Sequence, residues 1–171
     1  MPKEKCPQWL FNIYKTVYSS PFLKNALVVA DLLSVAFCVI VFGVCLYSSF
    51  AKDAFEGITL IVGAASSFVA VSVMRRVINA WRPYQTYDLD ALITSAPHRK
   101  SGSSFPSRHV FSSFLIGMIA FGYVPALGVI ALALGLVLAV SRVCLGIHFI
   151  RDVVCGALIG IVSGTVLLFV L

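Results

Sequence analysis

The sequence predicts an all-α integral membrane protein, a single helical bundle with five membrane spans, or six if an N-terminal helix also crosses. Of its 171 residues, 60% are apolar and 12% are charged, whereas soluble domains are roughly half apolar and about a quarter charged. The mean hydropathy is +0.98, which excludes an intrinsically disordered chain. Because each span needs about 20 residues, the chain has no room for a second domain.

Apolar stretches separated by polar segments define the five spans. They cover about 26–50, 57–74, 107–124, 126–145 and 153–171. No charged residue occurs from Val110 to Val140, and this stretch is long enough for two crossings. Pro125 follows Gly122-Tyr123 and favours a turn there over one long helix with a proline in mid-membrane. Gly146 is expected to end the fourth span.

Residues 8–23 predict a helix that lies in the membrane interface. Leu10, Ile13 and Val17 can share one apolar face of this helix, with Lys15 away from it. We expect its larger aromatic side chains at headgroup level, namely Trp9, Tyr14 and Tyr18.

The five cysteines predict neither a disulfide framework nor a metal site. Their number is odd, and no pair has the C-x-x-C spacing. Cys38 and Cys45 fall inside an apolar segment, where a thiol acts as a small hydrophobic side chain.

The net charge of +6 is distributed unevenly along the chain. The lysines are mostly N-terminal, whereas all seven arginines lie between Arg75 and Arg151. The polar segment 75–106 joins the second and third spans, and the third and fourth form a hairpin. The segments near 75–106 and 141–152 must therefore meet on one face of the membrane, which gathers the arginines there.

Three short segments on that face carry the arginine, histidine, serine and aspartate side chains of a candidate site. They read Arg75-x6-Arg82-Pro83, Pro106-Ser107-Arg108-His109 and Ser141-Arg142-x5-His148-x3-Asp152. Arginine suits phosphate oxygens and stays charged at any ordinary pH.

The histidines predict a nucleophile or base and an acid. His148 and Asp152 are four residues apart, so on a helix the carboxylate can orient the ring of a nucleophile or base. His109 can serve as a general acid for a departing oxygen. Ser107 is a good N-cap residue that would aim the N-terminus of the third span at an anion.

These segments resemble the signature of the type 2 phosphatidic acid phosphatase family, which shares its site with vanadium haloperoxidases. That signature reads K-x6-RP, PSGH and SR-x5-H-x3-D, and its third block matches at every fixed position. The resemblance implies a membrane enzyme that uses no metal or cofactor. Members of the family usually have six spans, and here the 8–23 helix is expected to take the place of one span as an interfacial helix. It implies that His148 forms a phosphohistidine, that Asp152 orients it, and that His109 protonates the leaving alcohol and later activates water. The implied phosphate ligands are Arg82, Ser107 and Arg142.

Two positions depart from that signature. Arg75 stands where the pattern has lysine, and Arg108 replaces the glycine of PSGH. The second change adds a guanidinium to the site. We hypothesise that Arg108 favours a diphosphate or a crowded anionic headgroup.

The sequence thus predicts one membrane phosphatase domain over 1–171, with 75–106 as the loop on the active-site side. Expected substrates are phosphatidic acid, phosphatidylglycerol phosphate, an isoprenyl pyrophosphate or a glycolipid phosphate. Phosphotransfer to a second acceptor is an alternative, as is a non-catalytic protein that binds anionic lipid. The expected partners are the lipid bilayer and the lipid phosphate, with no nucleic acid. We expect a cell (inner) membrane location with the site facing the extracytoplasmic side.

Some charged residues lie outside the three segments. Asp31 lies a few residues inside the first span, where an acid is costly; it can be functional, reach the interface or pair with an arginine of the bundle. His98 matches no motif and is expected to be incidental. Arg76, Arg99 and Arg151 are expected to extend to the lipid headgroups.

Overall fold

Helices follow the apolar stretches of the sequence. The computed structural model describes residues 4–89, 92 and 102–171. The described helices are α1 (Gln8–Ser19), α2 (Pro21–Lys52), α3 (Ala54–Ile78), α4 (Pro83–Thr86), α5 (Arg108–Tyr123), α6 (Pro125–Cys144) and α7 (Ile150–Val170). The only extended pairing among these residues is an isolated bridge between Glu4 and Tyr87. The predicted all-α membrane bundle is confirmed.

Four of the described helices, α2, α3, α6 and α7, are long and apolar enough to cross a membrane. Their outward side chains are large and apolar, as a lipid-facing surface requires; examples are Leu32, Ile40, Val62, Leu136 and Val162. The remaining predicted span corresponds to α5, which has 16 residues and is about 24 Å long at 1.5 Å per residue. This helix lies inside the bundle, in contact with α2, α3, α6 and α7.

Glycines on α7 let this helix approach α5 closely. A Cβ added at Gly156 would lie 2.6 Å from the carbonyl oxygen of Ser107, and one at Gly160 would lie 2.5 Å from that of Phe111. Small residues four apart are the usual way in which membrane helices bring their backbones together. The contact sets the N-terminus of α5 against the first turn of α7, where the second and third motifs lie.

We expect Gly160→Ala to destabilise the protein by about 1–3 kcal/mol, because the added methyl group overpacks this interface. Gly43→Ala on α2 is the matched control, since a Cβ there meets nothing within 4 Å. The control should leave the melting temperature unchanged or raise it, because alanine favours helix over glycine. Thermal unfolding of the detergent-solubilised protein can be followed by a thiol-reactive dye, because Cys38 and Cys45 are buried. Equal melting temperatures for the two variants would contradict the expectation.

The first helix, α1, covers the end of the bundle that carries the motifs. Its buried face consists of Leu10, Tyr14 and Val17, and Tyr14 packs with Leu89 from the segment after α4. The Tyr18 hydroxyl donates to the carbonyl oxygen of Leu145, in the turn after α6, at 3.0 Å. Tyr14 is fully buried and so does not contact lipid headgroups, because it is one helical turn from Leu10 and shares its inward face.

Candidate active site

The three motif segments meet at one end of the bundle. Arg75 lies in the last turn of α3, Ser107 precedes α5, and Asp152 lies in the first turn of α7. The Ser107 N–H donates to the carbonyl oxygen of Asp152 at 2.9 Å, and the Arg82 guanidinium reaches the carbonyl oxygen of Ile147 at 3.3 Å. The sequence predicts that the spans bring these segments together on one face of the membrane, and the structure does bring them together at one end of the bundle.

A tight turn after α6 presents His148. The helix ends at Cys144, and Gly146 follows with a φ of 67°, a left-handed conformation that glycine adopts without a steric penalty. The N–H groups of Ile147 and His148 both donate to the carbonyl oxygen of Arg142, at 3.0 and 3.2 Å. The spacing between Arg142 and His148 in the third motif is thus the length of this helix-ending turn.

His148 and Asp152 form a buried pair. Their side chains are 2% and 0% exposed, and 3.4 Å separates His148 Nδ1 from Asp152 Oδ2. The same carboxylate oxygen accepts the Phe149 N–H at 3.0 Å and the Ser104 hydroxyl at 2.5 Å. Burial lowers the pKa of the His148 imidazole below its ordinary value, and the hydrogen bond to Asp152 partly offsets this. Burial thus favours the neutral form of the ring, the form in which an imidazole nitrogen can act as a nucleophile or base.

Arg75 and Arg82 hold the backbone around this pair. Arg75 Nη1 donates to the carbonyl oxygens of Ser104 and Pro106, at 3.3 and 2.5 Å. Arg82 Nε donates to the carbonyl oxygen of Gly102 at 3.4 Å. Both guanidiniums are buried. A single nitrogen of Arg75 donates to two carbonyl oxygens, and the other guanidinium nitrogens can donate to further acceptors. Arginine therefore offers more donors than the lysine of the signature would at this position.

Arg142 is held by Asp31. Arg142 Nε donates to Asp31 Oδ1 at 2.6 Å, and Nη2 donates to Oδ2 at 2.8 Å, so the pair is bidentate. The side chains of Arg142 and Asp31 are only 13% and 18% exposed. Of the readings open for Asp31 from the sequence, pairing with an arginine of the bundle is confirmed. The guanidinium expected to bind phosphate is thus fixed by an acid from α2.

Ser107 occupies the N-cap position of α5, but its side chain makes no capping hydrogen bond. Its hydroxyl is buried and has no hydrogen-bond partner. The prediction of the position was correct, and the prediction of a side-chain cap was wrong. Because a buried polar group without a partner is costly, this hydroxyl keeps an unused hydrogen-bonding capacity at the N-terminus of α5.

The first turn of α5 adds Arg108 and His109. The guanidinium of Arg108 lies over the ring of Phe68, 5.7 Å from its centroid. His109 is exposed and lies within electrostatic reach of the Arg75, Arg142 and His148 side chains. All eight site residues predicted from the sequence are thus gathered at one end of the bundle.

Sequence reasoning missed the residues that position the segment before α5. Asn79 has a left-handed backbone at the end of α3, and its Oδ1 accepts the Ser103 N–H at 3.0 Å. Gln85 Oε1 accepts the N–H groups of Arg82 and Gly102, at 3.2 and 3.0 Å. An asparagine just after a helical pattern was a usable signal for the turn, whereas Gln85 offered none. His98 and Arg99, for which the sequence predicts no role in the site, lie outside the described residues.

Comparison with known proteins decides the family. The sequence model of the PAP2 superfamily matches residues 56–170, more than half of the chain. The chain belongs to the PAP2 superfamily. All eight predicted site residues lie within the matched range, whereas α1 and Asp31 lie before it.

Two solved structures and one curated protein resemble this PAP2 protein. LpxE from Aquifex aeolicus has a TM-score of 0.66 at 20% identity, covering 98% of this chain and 99% of its own. A transmembrane PAP2-type phosphatidylglycerolphosphate phosphatase from Bacillus subtilis has a TM-score of 0.63 at 17% identity, covering 94% and 85%. The bacitracin transport permease protein BcrC of Bacillus licheniformis is 27% identical over 105 residues. The match covers 61% of this chain, which spans about half the length of that relative. These likenesses support the fold of an integral membrane PAP2 protein.

Proposed function

We propose that this protein is a membrane lipid phosphatase that hydrolyses the phosphate ester or diphosphate of a lipid through a phosphohistidine on His148. The observation that carries the proposal is the buried His148–Asp152 pair, which faces a group of arginines at the N-terminus of α5. A neutral imidazole whose Nδ1 is held by a carboxylate has Nε2 as its nucleophilic nitrogen. Membership of the PAP2 superfamily supports the same chemistry.

The reaction proceeds in two steps. In the first, His148 Nε2 attacks phosphorus, the bond from phosphorus to the leaving oxygen breaks, and His109 donates a proton to that oxygen. In the second, His109 accepts a proton from water, which attacks phosphorus and releases inorganic phosphate from His148. Arg75, Arg82 and Arg142 and the Ser107 hydroxyl stabilise the charge on the phosphoryl oxygens in both steps. The proposed steps use no metal or cofactor.

Trapping the covalent intermediate tests this mechanism. The purified protein is mixed with 32P-labelled short-chain phosphatidic acid and quenched in alkaline detergent, which preserves phosphohistidine. We expect label on the wild-type protein and none on His148→Ala. With p-nitrophenyl phosphate, whose leaving group needs no proton, His109→Ala should accumulate the phosphoenzyme because water is no longer activated. Labelling of His148→Ala at the wild-type level would overturn the proposal.

The same experiment separates the two alternatives carried from the sequence. A phosphotransferase would form the phosphoenzyme but would move the phosphate to a second lipid or sugar alcohol and release little inorganic phosphate. A non-catalytic binding protein would retain anionic lipid without any labelling, and His148→Ala would bind as the wild type does. The buried His148–Asp152 pair favours the enzyme over the binding protein, because binding an anion does not require a neutral imidazole oriented by a carboxylate.

We propose that Arg108 biases the site toward a lipid diphosphate. Its guanidinium lies over Phe68, beside the group formed by Arg75, Arg82 and Arg142, where it can reach a second phosphoryl group. We expect Arg108→Gly to lower kcat/KM for an isoprenyl diphosphate about 10-fold more than for phosphatidic acid, which corresponds to one charge-assisted contact. Steady-state phosphate release from both lipids in one detergent measures the ratio. If the ratio of kcat/KM for the two lipids were the same in Arg108→Gly and the wild type, the proposal that Arg108 favours a diphosphate would be wrong.

We also propose that the site faces the extracytoplasmic side of the cell membrane. A cysteine introduced at Ser101 in a chain without its own reactive thiols reports the side, since Ser101 belongs to the loop between α4 and α5. Labelling by an impermeant maleimide in intact cells is the expected result. Labelling only after the cells are opened would place the site in the cytoplasm.

A further inference from the structure

Ser104 lies outside the three motif segments, yet it contacts two of them. The residue is fully buried. Its N–H donates to the carbonyl oxygen of Ala80 at 2.8 Å, and its carbonyl oxygen accepts Arg75 Nη1 at 3.3 Å. The backbone is thus fixed from both sides, and the side chain is directed between His148 and Asp152.

The Ser104 hydroxyl contacts both members of that pair. Its Oγ lies 2.5 Å from Asp152 Oδ2 and 3.3 Å from His148 Nδ1. A carboxylate only accepts hydrogen bonds, so the hydroxyl proton points to Asp152. Toward His148 the hydroxyl then presents a lone pair, which can bind Nδ1 only if Nδ1 carries a hydrogen.

The hydrogen on Nδ1 is therefore shared by two acceptors at nearly equal distance. Ser104 Oγ lies 3.3 Å away and Asp152 Oδ2 lies 3.4 Å away. Each distance is longer than the usual 2.7–3.2 Å of an N–H···O bond, so neither acceptor alone holds the ring as firmly as the two do together. A neutral imidazole with its hydrogen on Nδ1 has its lone pair on Nε2.

We infer that Ser104 is a positioning residue that, together with Asp152, fixes the tautomer and the ring orientation of His148. Its importance for turnover rests on the proposed function, in which Nε2 is the nucleophile. Without the hydroxyl, Nδ1 keeps only the more distant acceptor, and the tautomer with hydrogen on Nε2 becomes populated. Hydrogen-bond partners that orient the histidine ligands of metal sites are typically worth 10- to 100-fold in activity, and we expect an effect of the same order for a partner that orients His148.

The test compares Ser104→Ala with Ser103→Ala. The neighbouring Ser103 hydroxyl donates to Asn79 Oδ1 at 3.3 Å and does not contact the pair, so this variant controls for losing a hydroxyl from the same segment. We expect Ser104→Ala to lower kcat on short-chain phosphatidic acid about 10- to 100-fold and to leave KM within about twofold, because the hydroxyl is already engaged with Asp152 and His148 and is not a phosphate ligand in the proposed mechanism. Ser103→Ala should behave as the wild type does.

A second measurement reads the tautomer directly. Nitrogen-15 NMR of histidine-labelled protein distinguishes protonated from unprotonated ring nitrogens, and His148→Ala assigns the signals. In the wild type we expect hydrogen on Nδ1 of His148, and in Ser104→Ala a mixture of both tautomers. A kcat within about threefold of the wild type, or an unchanged tautomer in Ser104→Ala, would overturn the inference. Failure of the proposed function is recognised separately, because wild type and His148→Ala would then release phosphate equally, while the tautomer comparison still tests Ser104.

Discussion

His148→Ala is expected to abolish phosphate release from every lipid substrate, with kcat falling at least about 10³-fold. The variant removes the nitrogen that attacks phosphorus in the proposed mechanism, and no other described side chain is paired with Asp152 in a way that could replace it. His98→Ala is the matched control, since the chain has three histidines and His98 belongs to none of the motif segments. This control should retain wild-type kcat.

Two checks make the result specific. Elution as a single peak in detergent shows that His148→Ala is folded, and binding of the lipid phosphate should persist in that variant because the arginines remain. If His148→Ala released phosphate at more than about one tenth of the wild-type rate, the nucleophile would have to be another group.

Arg142→Ala is expected to lower kcat/KM about 10²- to 10³-fold, because the proposed mechanism loses one preorganised guanidinium that binds the phosphoryl oxygens. It should also lower the melting temperature, since the Asp31 carboxylate would then lack its bidentate partner in a largely buried place. Phosphate release and thermal unfolding measure the two effects on the same preparation.

The double variant Asp31→Asn/Arg142→Ala separates these two roles. With the unpaired charge removed, the melting temperature should recover, whereas activity should stay as low as in Arg142→Ala. Asp31→Asn alone keeps the arginine but loosens it, so we expect about a 10-fold loss of kcat/KM. If the double variant recovered activity together with stability, Arg142 would be a structural residue and not a phosphate ligand.

The motif residues could be predicted from the sequence because their chemistry and their spacing are both local. The interval from Arg142 to His148 is the length of one helix-ending turn, and His148 precedes Asp152 by four residues across the start of α7, where His148 itself lies before the helix. Arginine, histidine and serine recurring at such intervals can be read without coordinates. Because each apolar stretch is expected to cross the membrane completely, the number of spans between the segments then placed all of them on one face.

The partners of the supporting residues could not be predicted because they are distant in the chain. Asp31 precedes Arg142 by 111 residues, and Ser104 precedes Asp152 by 48. Asp31 stood out as an acid inside a span, and pairing with an arginine was one of its readings, but no local pattern identified Arg142 as that arginine. Ser104 is one serine in a serine-rich run, and no local pattern singles it out. The burial of Tyr14 was missed for a related reason: its side chain suits both the headgroup region and a core, and only the distant segment around Leu89 completes the core that covers it.

The sequence by itself determined the bundle, the face on which the arginines gather and the residues of the proposed reaction, because hydropathy and motif spacing are properties of neighbouring residues. Only the tertiary structure decided which groups hold those residues in place. Asp31 fixes Arg142, Ser104 stands between Asp152 and His148, and Ser107 leaves its hydroxyl uncapped. Such contacts depend on how closely the helices approach one another. At the interface of α5 and α7, glycines on α7 set that approach. Their effect can be recognised only once the structure shows which helix packs against them.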